Sequence, residues 1–166
     1  MKVISKQRNS KMCFICGMNN PIGLKAQFYN MEDGSVMTPF RFKEEHQSFP
    51  QRVHGGLIST MLDELGLRAI WAKQSDTILG VTINITVKFR KPVPYNEDLI
   101  GRGIVQKETP RFTVITAEIY NKSGVLLASA EETYMKLSAE AIAKNVDSHE
   151  EMCFVADDVA EINFSK

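Results

Sequence analysis

Residues 56–71 carry the one long helical pattern in this 166-residue chain, and that pattern is apolar on almost every side. Leu57, Ile58, Met61, Leu62, Leu65, Ala69, Ile70 and Ala72 recur at helical spacing. Leu67 and Trp71 widen the apolar arc until little polar surface is left. Such a helix is buried rather than laid on a surface, so the rest of the chain has to surround it.

What surrounds it reads as strand. Residues 81–89 alternate without a break, apolar on odd numbers and polar on even ones, until Pro92 and Pro94 end the run. Residues 99–107, 112–120 and 125–137 are further strand candidates, the last two joined by the turn sequence Asn121-Lys122-Ser123-Gly124. Upstream, residues 24–29 alternate like a half-buried strand, Glu32-Asp33-Gly34 is a hairpin-type turn, and 35–42 is the returning strand. Residues 43–53 are polar, include Pro50 and read as a loop. Short links between successive strands imply antiparallel pairing. One buried helix against one curved antiparallel sheet is an α+β arrangement. A single domain is expected over 1–137, with its core in 13–137. Residues 138–166 read as an extension: a short helix, then an acidic tail docked through Met152, Phe154, Val155, Ile162 and Phe164.

Composition narrows the function. Lys plus Arg and Asp plus Glu each total 20, so the formal net charge is zero and nothing supplies the basic excess a nucleic-acid partner needs. No apolar run is long enough to span a bilayer or to act as a signal segment. Three cysteines, an odd number, point to free thiols in a reducing, cytoplasmic compartment. Cys13 and Cys16 form a single Cys-x-x-Cys ahead of Gly17, half of a closed zinc site. Cys153, His46, His54 and His149 could contribute ligands, but none stands at zinc-finger spacing. The reading favours a turn that packs two small side chains, with no metal and no cofactor.

Chemistry concentrates in Val53-His54-Gly55-Gly56 and the helix that follows. Two glycines at a helix start let a ligand approach the backbone, because no Cβ stands in the way. The unpaired N–H groups there suit a developing oxyanion. Asp63 has Ser59, Thr60, Gly66 and Leu67 as its helical neighbours, and none is a cation. Glu64 has Arg68 four residues on, the favoured order for a surface ion pair. A carboxylate on a buried helix without a local partner is either bonded across the fold or functional.

These residues resemble the hotdog-fold acyl-CoA thioesterases of the phenylacetate-degradation type. The resemblance runs through Cys-Phe-x-Cys-Gly, Asn-Pro-x-Gly-Leu, Val-His-Gly-Gly with Asp nine residues after the His, Asn84, Phe89-Arg-Lys-Pro-Val and Ala-Glu-Ile-Tyr-Asn-Lys-Ser-Gly. It implies an acyl-CoA substrate bound at a homodimer interface, with a dimer of dimers open. The Gly55 N–H would polarise the thioester carbonyl, with Gly56 allowing the approach. Asp63 of the other subunit would act as general base or nucleophile, His54 would organise the site, and Thr82 would help position water. Asn84 falls among the substrate-side positions, and Arg90 and Lys91, with Lys88 and Arg111 behind them, are the cations for CoA phosphates. Ser48 stands where several relatives have Asn or Gln, six residues before the His. That departure keeps a non-catalytic acyl-CoA binder on the same fold as the alternative. A hydratase would want its histidine and carboxylate on different elements, whereas His54 and Asp63 share one.

Overall fold

In the computed structural model the described residues are 1–74, 78–138, 141 and 151–164, with the side chains of 78, 79 and 138 set aside. The strands are β1 (Val3–Lys6), β2 (Asn9–Ser10), β3 (Tyr29–Met31), β4 (Val36–Phe40), β5 (Gln47–Phe49), β6 (Arg52–Val53), β7 (Ile78–Phe89), β8 (Leu99–Glu108), β9 (Phe112–Asn121), β10 (Leu126–Ser138) and β11 (Met152–Cys153). The long α-helix, α1, spans Gly55–Lys73. Seven strands make one antiparallel sheet in the order β1-β3-β4-β8-β9-β10-β7. The helix packs on the face formed by β8, β9, β10 and β7. This is the hotdog arrangement expected from the sequence.

The apolar positions of α1 explain its burial. Ile58, Met61, Leu62, Leu65, Ala69 and Ile70 are buried among Leu99, Ile115, Ala117, Ala128 and Ala130 of the sheet. Each fully buried aliphatic side chain contributes about 1.5–3 kcal/mol, so the helix is held mainly by this face. Leu65→Ala would cost roughly 2–5 kcal/mol through the cavity it leaves. Lys73 lies in the last turn, where a cation suits the helix dipole. Among the described residues no helix is long and apolar enough to cross a membrane.

Several expectations need correction. Residues 24–28 are not strand: Leu24 and Ala26 donate backbone hydrogen bonds to Phe14 and Ile15 of the cysteine turn, and Lys25 has a positive φ of 54°. Alternation predicted the exposed rhythm there but not the partner. The polar stretch 43–53 holds a 3-10 turn, Glu44–His46, and the β5–β6 hairpin, which turns through Gln51 at φ 66°. Strand β1 carried too weak an alternation to be read as one, yet it pairs with β3 at the sheet edge. Strands β7 and β8 are successive but not neighbours, because β7 pairs with β10 instead.

The terminal segment 151–164 lies against the first strands. Val3 N–H donates to Ala160 C=O, the Met1 ammonium to Ile162 C=O, and Tyr29 hydroxyl to Asp157 at 2.6 Å. Ile162 is buried and Phe164 packs edge-on to Tyr120, whereas Phe154 is exposed. Most of the short helix expected after residue 138, and His149 with it, lies outside the described residues.

Candidate active site

Helix α1 begins at a site made by its own cap. His54 is the N-cap, and its Nδ1 accepts the Gly56 N–H at 3.0 Å. That bond fixes Nδ1 as an unprotonated acceptor, so His54 shapes the helix start rather than carrying a proton through this nitrogen. The Gly55 N–H has no hydrogen-bond partner among the described residues, and Phe89 lies over its Cα. Ser48, Gly55, Phe89, Arg90 and Lys91 line one cleft of about 380 Å³. The fold thus gathers four of the residues singled out from the sequence around one unpaired backbone donor. Gly56 is exposed beside them.

Asp63 sits two turns further along α1, facing β7 and β10. Thr82 hydroxyl donates to Asp63 Oδ1 at 2.6 Å, and Tyr134 hydroxyl reaches the same oxygen at 3.0 Å as well as the Asp63 carbonyl. Asp63 therefore has partners across the fold, both neutral hydroxyls and neither a cation. Oδ2 carries no hydrogen bond among the described residues. This arrangement keeps an acceptor free beside a carboxylate whose other oxygen is held in place.

Thr82 reaches Asp63 because the strand does not keep one face. The register of β7 against β10 slips between Thr133 and Tyr134, so Ile83 is the extra residue of a bulge. Before it, Gly80 and Thr82 face the helix; after it, Ile85 and Val87 pack on the core. The unbroken alternation of 81–89 had put Thr82 on the outward, polar face. The bulge reverses that face for one half of the strand. Asn84, just past the bulge, is exposed and paired in register with Thr133.

A second carboxyl group, missed in the sequence, completes the centre. Glu132 is 0% exposed, and its Oε2 lies 3.1 Å from Tyr134 hydroxyl. Its Oε1 is buried without a partner. Burial, and then the nearby Asp63 charge, push the Glu132 carboxyl up to about 8, so it is protonated at neutral pH. Burial between these two acids also raises Tyr134. A hydroxyl has one proton to give. With Glu132 protonated and donating to Tyr134, the Tyr134 proton is free for Asp63. Gly66 makes room: a Cβ there would lie 1.9 Å from Glu132 Oε2 and 2.5 Å from Tyr134 hydroxyl. The available signal was Glu132 itself, an acid at a core-facing position of a strand.

Glu64 points the other way. It pairs with Arg68 at 2.8 Å, as the spacing predicts, but the pair is not on the surface. Arg68 is 1% exposed, with its guanidinium 4.6 Å from the ring centres of both Phe28 and Trp71. The aromatic rings and the helix's own apolar sides carry the pair inward. Among the phosphate-binding candidates, Arg90 and Lys91 share the cleft and Arg90 also donates to Ser129 hydroxyl at 3.3 Å. Lys88 lines an adjoining groove with Thr86 and Glu131, and Arg90 borders both. Arg111 lies beside Lys136, at the opposite end of β10 from Arg90 beside Leu127, about 30 Å along the strand. It is not gathered with the others.

Residues 51–128 match the family model described as the Thioesterase superfamily, and they hold the His54–Asp63 segment together with β7, β8 and β9. This part of the chain is similar to the thioesterase superfamily, and it lies in a hotdog fold. Acyl-coenzyme A thioesterase 13 of Homo sapiens is 25% identical over 101 residues, 60% of this chain and 71% of that protein. Among solved structures, a thioesterase superfamily protein overlays with a TM-score of 0.68 at 22% identity, covering 75% of this chain and 63% of that one. The Escherichia coli PaaI protein of the phenylacetic acid degradation operon gives 0.62 at 17% identity, covering 69% and 81%. A hypothetical thioesterase protein from Streptococcus pneumoniae TIGR4, solved with coenzyme A, gives 0.61 at 18% identity, covering 68% and 86%. The resemblance drawn from the Cys-Phe-x-Cys-Gly and His-Gly-Gly motifs is borne out at the level of family and fold.

Proposed function

We propose that this protein hydrolyses acyl-CoA thioesters, with Asp63 as general base on a water molecule and the Gly55 N–H as donor to the thioester carbonyl. The observation that carries the reading is Asp63: Oδ1 is fixed by Thr82 and Tyr134 while Oδ2 stays open to a water. The family match and the CoA complex of a relative with the same fold support the substrate class. Attack on the carbonyl carbon by that water would move its proton to Oδ2. The negative charge on the carbonyl oxygen would fall to the Gly55 N–H at the helix N-terminus. Collapse expels the CoA thiolate and leaves the free acid.

The site is completed by a second subunit in this reading. Gly55 and Asp63 are eight residues apart on one helix, about 12 Å, too far to serve one thioester group. Two copies would bring the partner subunit's Gly55 to the Asp63 of this one. Strand β7 is the natural seam, because it ends the sheet and exposes Val81 (38%), Ile83 (53%) and Phe89 (57%). Open apolar edges of this kind are covered in stable proteins. Arg90 and Lys91 beside the cleft would take CoA phosphates, with Ser48, Gly56 and Asn84 on the substrate side. Three free cysteines fit work in a reducing cytoplasm, and the 151–164 segment would act as a brace docked on the hotdog domain.

The test is thiol release from a panel of acyl-CoAs by wild type and Asp63→Asn, alongside CoA-ester binding by calorimetry. Release by wild type alone supports the reading. Binding by both with release by neither would establish the non-catalytic acyl-CoA binder instead. Incorporation of 18O from water into Asp63 during turnover would replace the general base with a nucleophile.

A further inference from the structure

The Cys13-x-x-Cys16 turn meets a third metal-ligating side chain that its sequence spacing did not announce. Among the described residues, Cys13 Sγ, Cys16 Sγ and a Glu64 carboxylate oxygen all lie within 4.8 Å of one another. Glu64 reaches them because it lies about 100° around α1 from Asp63. Its Oε2 lies 3.6 Å from Cys13 Sγ, while Oε1 accepts the Arg68 Nε–H at 2.8 Å. A tetrahedral zinc ion with the usual Zn–S and Zn–O bond lengths sets a sulfur and an oxygen about 3.5 Å apart. The observed edge already has that length.

The turn is built around its sulfurs. The Ile15 and Cys16 N–H groups both donate to Cys13 Sγ, at 3.3 and 3.4 Å. Ser10 Oγ lies 3.4 Å from Cys16 Sγ and accepts the Cys13 N–H at 3.1 Å. Two backbone donors on one sulfur stabilise negative charge on it far better than they serve a neutral thiol. Gly17 closes the turn so tightly that a Cβ would lie 2.3 Å from the Cys13 carbonyl oxygen. The next residue after the cysteine pair therefore has to be glycine for the sulfurs to converge.

We propose that Cys13, Cys16 and Glu64 bind one zinc ion, with the fourth position taken by water or the Ser10 hydroxyl. The charges close. As thiols, the cysteines are neutral and Glu64 is matched by Arg68. On binding, two S–H protons leave to solvent as two Zn–S bonds form, so a divalent ion replaces two protons and the buried cluster keeps its net charge. Arg68 then acts on the far oxygen of the ligating carboxylate, the usual outer partner of a metal ligand. Two thiolates and a carboxylate select zinc over magnesium or calcium, which take oxygen ligands. The ion would clip residues 10–17 to α1 at the residue beside Asp63. This assignment stands apart from the hydrolase reading, since Asp63 is not among the ligands.

Wild-type protein purified under reductant and without chelator should carry about one zinc per chain by elemental mass spectrometry. After chelator treatment, titration with cobalt chloride should give near-ultraviolet thiolate-to-cobalt charge-transfer bands and tetrahedral visible bands, saturating at one equivalent. Cys13→Ser and Cys16→Ser should each lose those bands, Glu64→Gln should weaken cobalt binding by roughly 10-fold or more, and Cys153→Ser should match wild type. Asp63→Asn should load cobalt like wild type while lacking thiol release, which separates this site from catalysis. Folded wild-type protein with less than about a tenth of an equivalent of zinc and no charge-transfer bands would overturn the proposal, whatever the variants do. So would bands that survive the loss of both Cys13 and Cys16.

Discussion

Asp63 and Glu64 are consecutive residues on one buried helix, yet they are held by opposite kinds of partner. Glu64 meets a guanidinium, wrapped by Phe28 and Trp71, and its charge is matched inside the fold. Asp63 meets only hydroxyls, Thr82 and Tyr134, with a protonated Glu132 behind them. The guanidinium matches the Glu64 charge in place, whereas the two hydroxyls orient one Asp63 oxygen and leave the other open. In the proposed mechanism the difference separates a carboxylate that holds structure from one with an oxygen open to water.

The largest expected effect is on chemistry at Asp63. Asp63→Asn keeps the shape and removes the base, so thiol release should fall by roughly 10³-fold or more, about 4 kcal/mol of barrier. A variant with wild-type turnover would erase the distinction between the two acids. The same exchange at the other face should act on stability instead. Arg68→Met strands Glu64 as a buried, uncompensated charge and should cost roughly 3–5 kcal/mol in urea unfolding. If stability is unchanged, Glu64 is better solvated than its burial implies and the contrast weakens.

Glu132 offers a pH test of the hydroxyl side. Its folded-state value, about 8, is above the ordinary carboxylic value it regains on unfolding. Between those values the unfolded chain binds fewer protons, so stability is highest below the ordinary value and is lost as pH rises through the folded one. Glu132→Gln cannot ionise and should remove this loss, gaining on the order of 3 kcal/mol over wild type at pH 7 and nothing near pH 4. Parallel denaturant curves at the two pH values decide it; equal differences would mean Glu132 is ionised in the fold. The smallest effect belongs to Tyr134→Phe, which removes one of two hydroxyls on Asp63 Oδ1. A loss of about tenfold in thiol release is expected, near 1.4 kcal/mol. No loss would leave Thr82 as the positioning group.

Much of this architecture was legible in local patterns. The helical repeat at 56–71 and the alternation at 81–89, 99–107, 112–120 and 125–137 specify the helix and the four long strands, because side-chain periodicity is a property of neighbouring residues. The same holds for the Glu64–Arg68 spacing and for the glycines at the head of α1. Strand β1 went unread and residues 24–28 were misread because their partners lie elsewhere: Met31 and Tyr29 for the first, the cysteine turn for the second.

Sequence alone therefore determined that one apolar helix must be enclosed by a sheet and that Asp63 on it has no cation within its own turns. Only the tertiary structure decided what meets that helix from each side. Glu132 and Tyr134 come to Asp63 from about seventy positions away, and Thr82 turns inward through a one-residue bulge. Glu64 likewise meets Cys13 from fifty-one positions away. Register and bulges are set by the packing of whole strands against the helix, and a one-residue slip reverses every side chain beyond it.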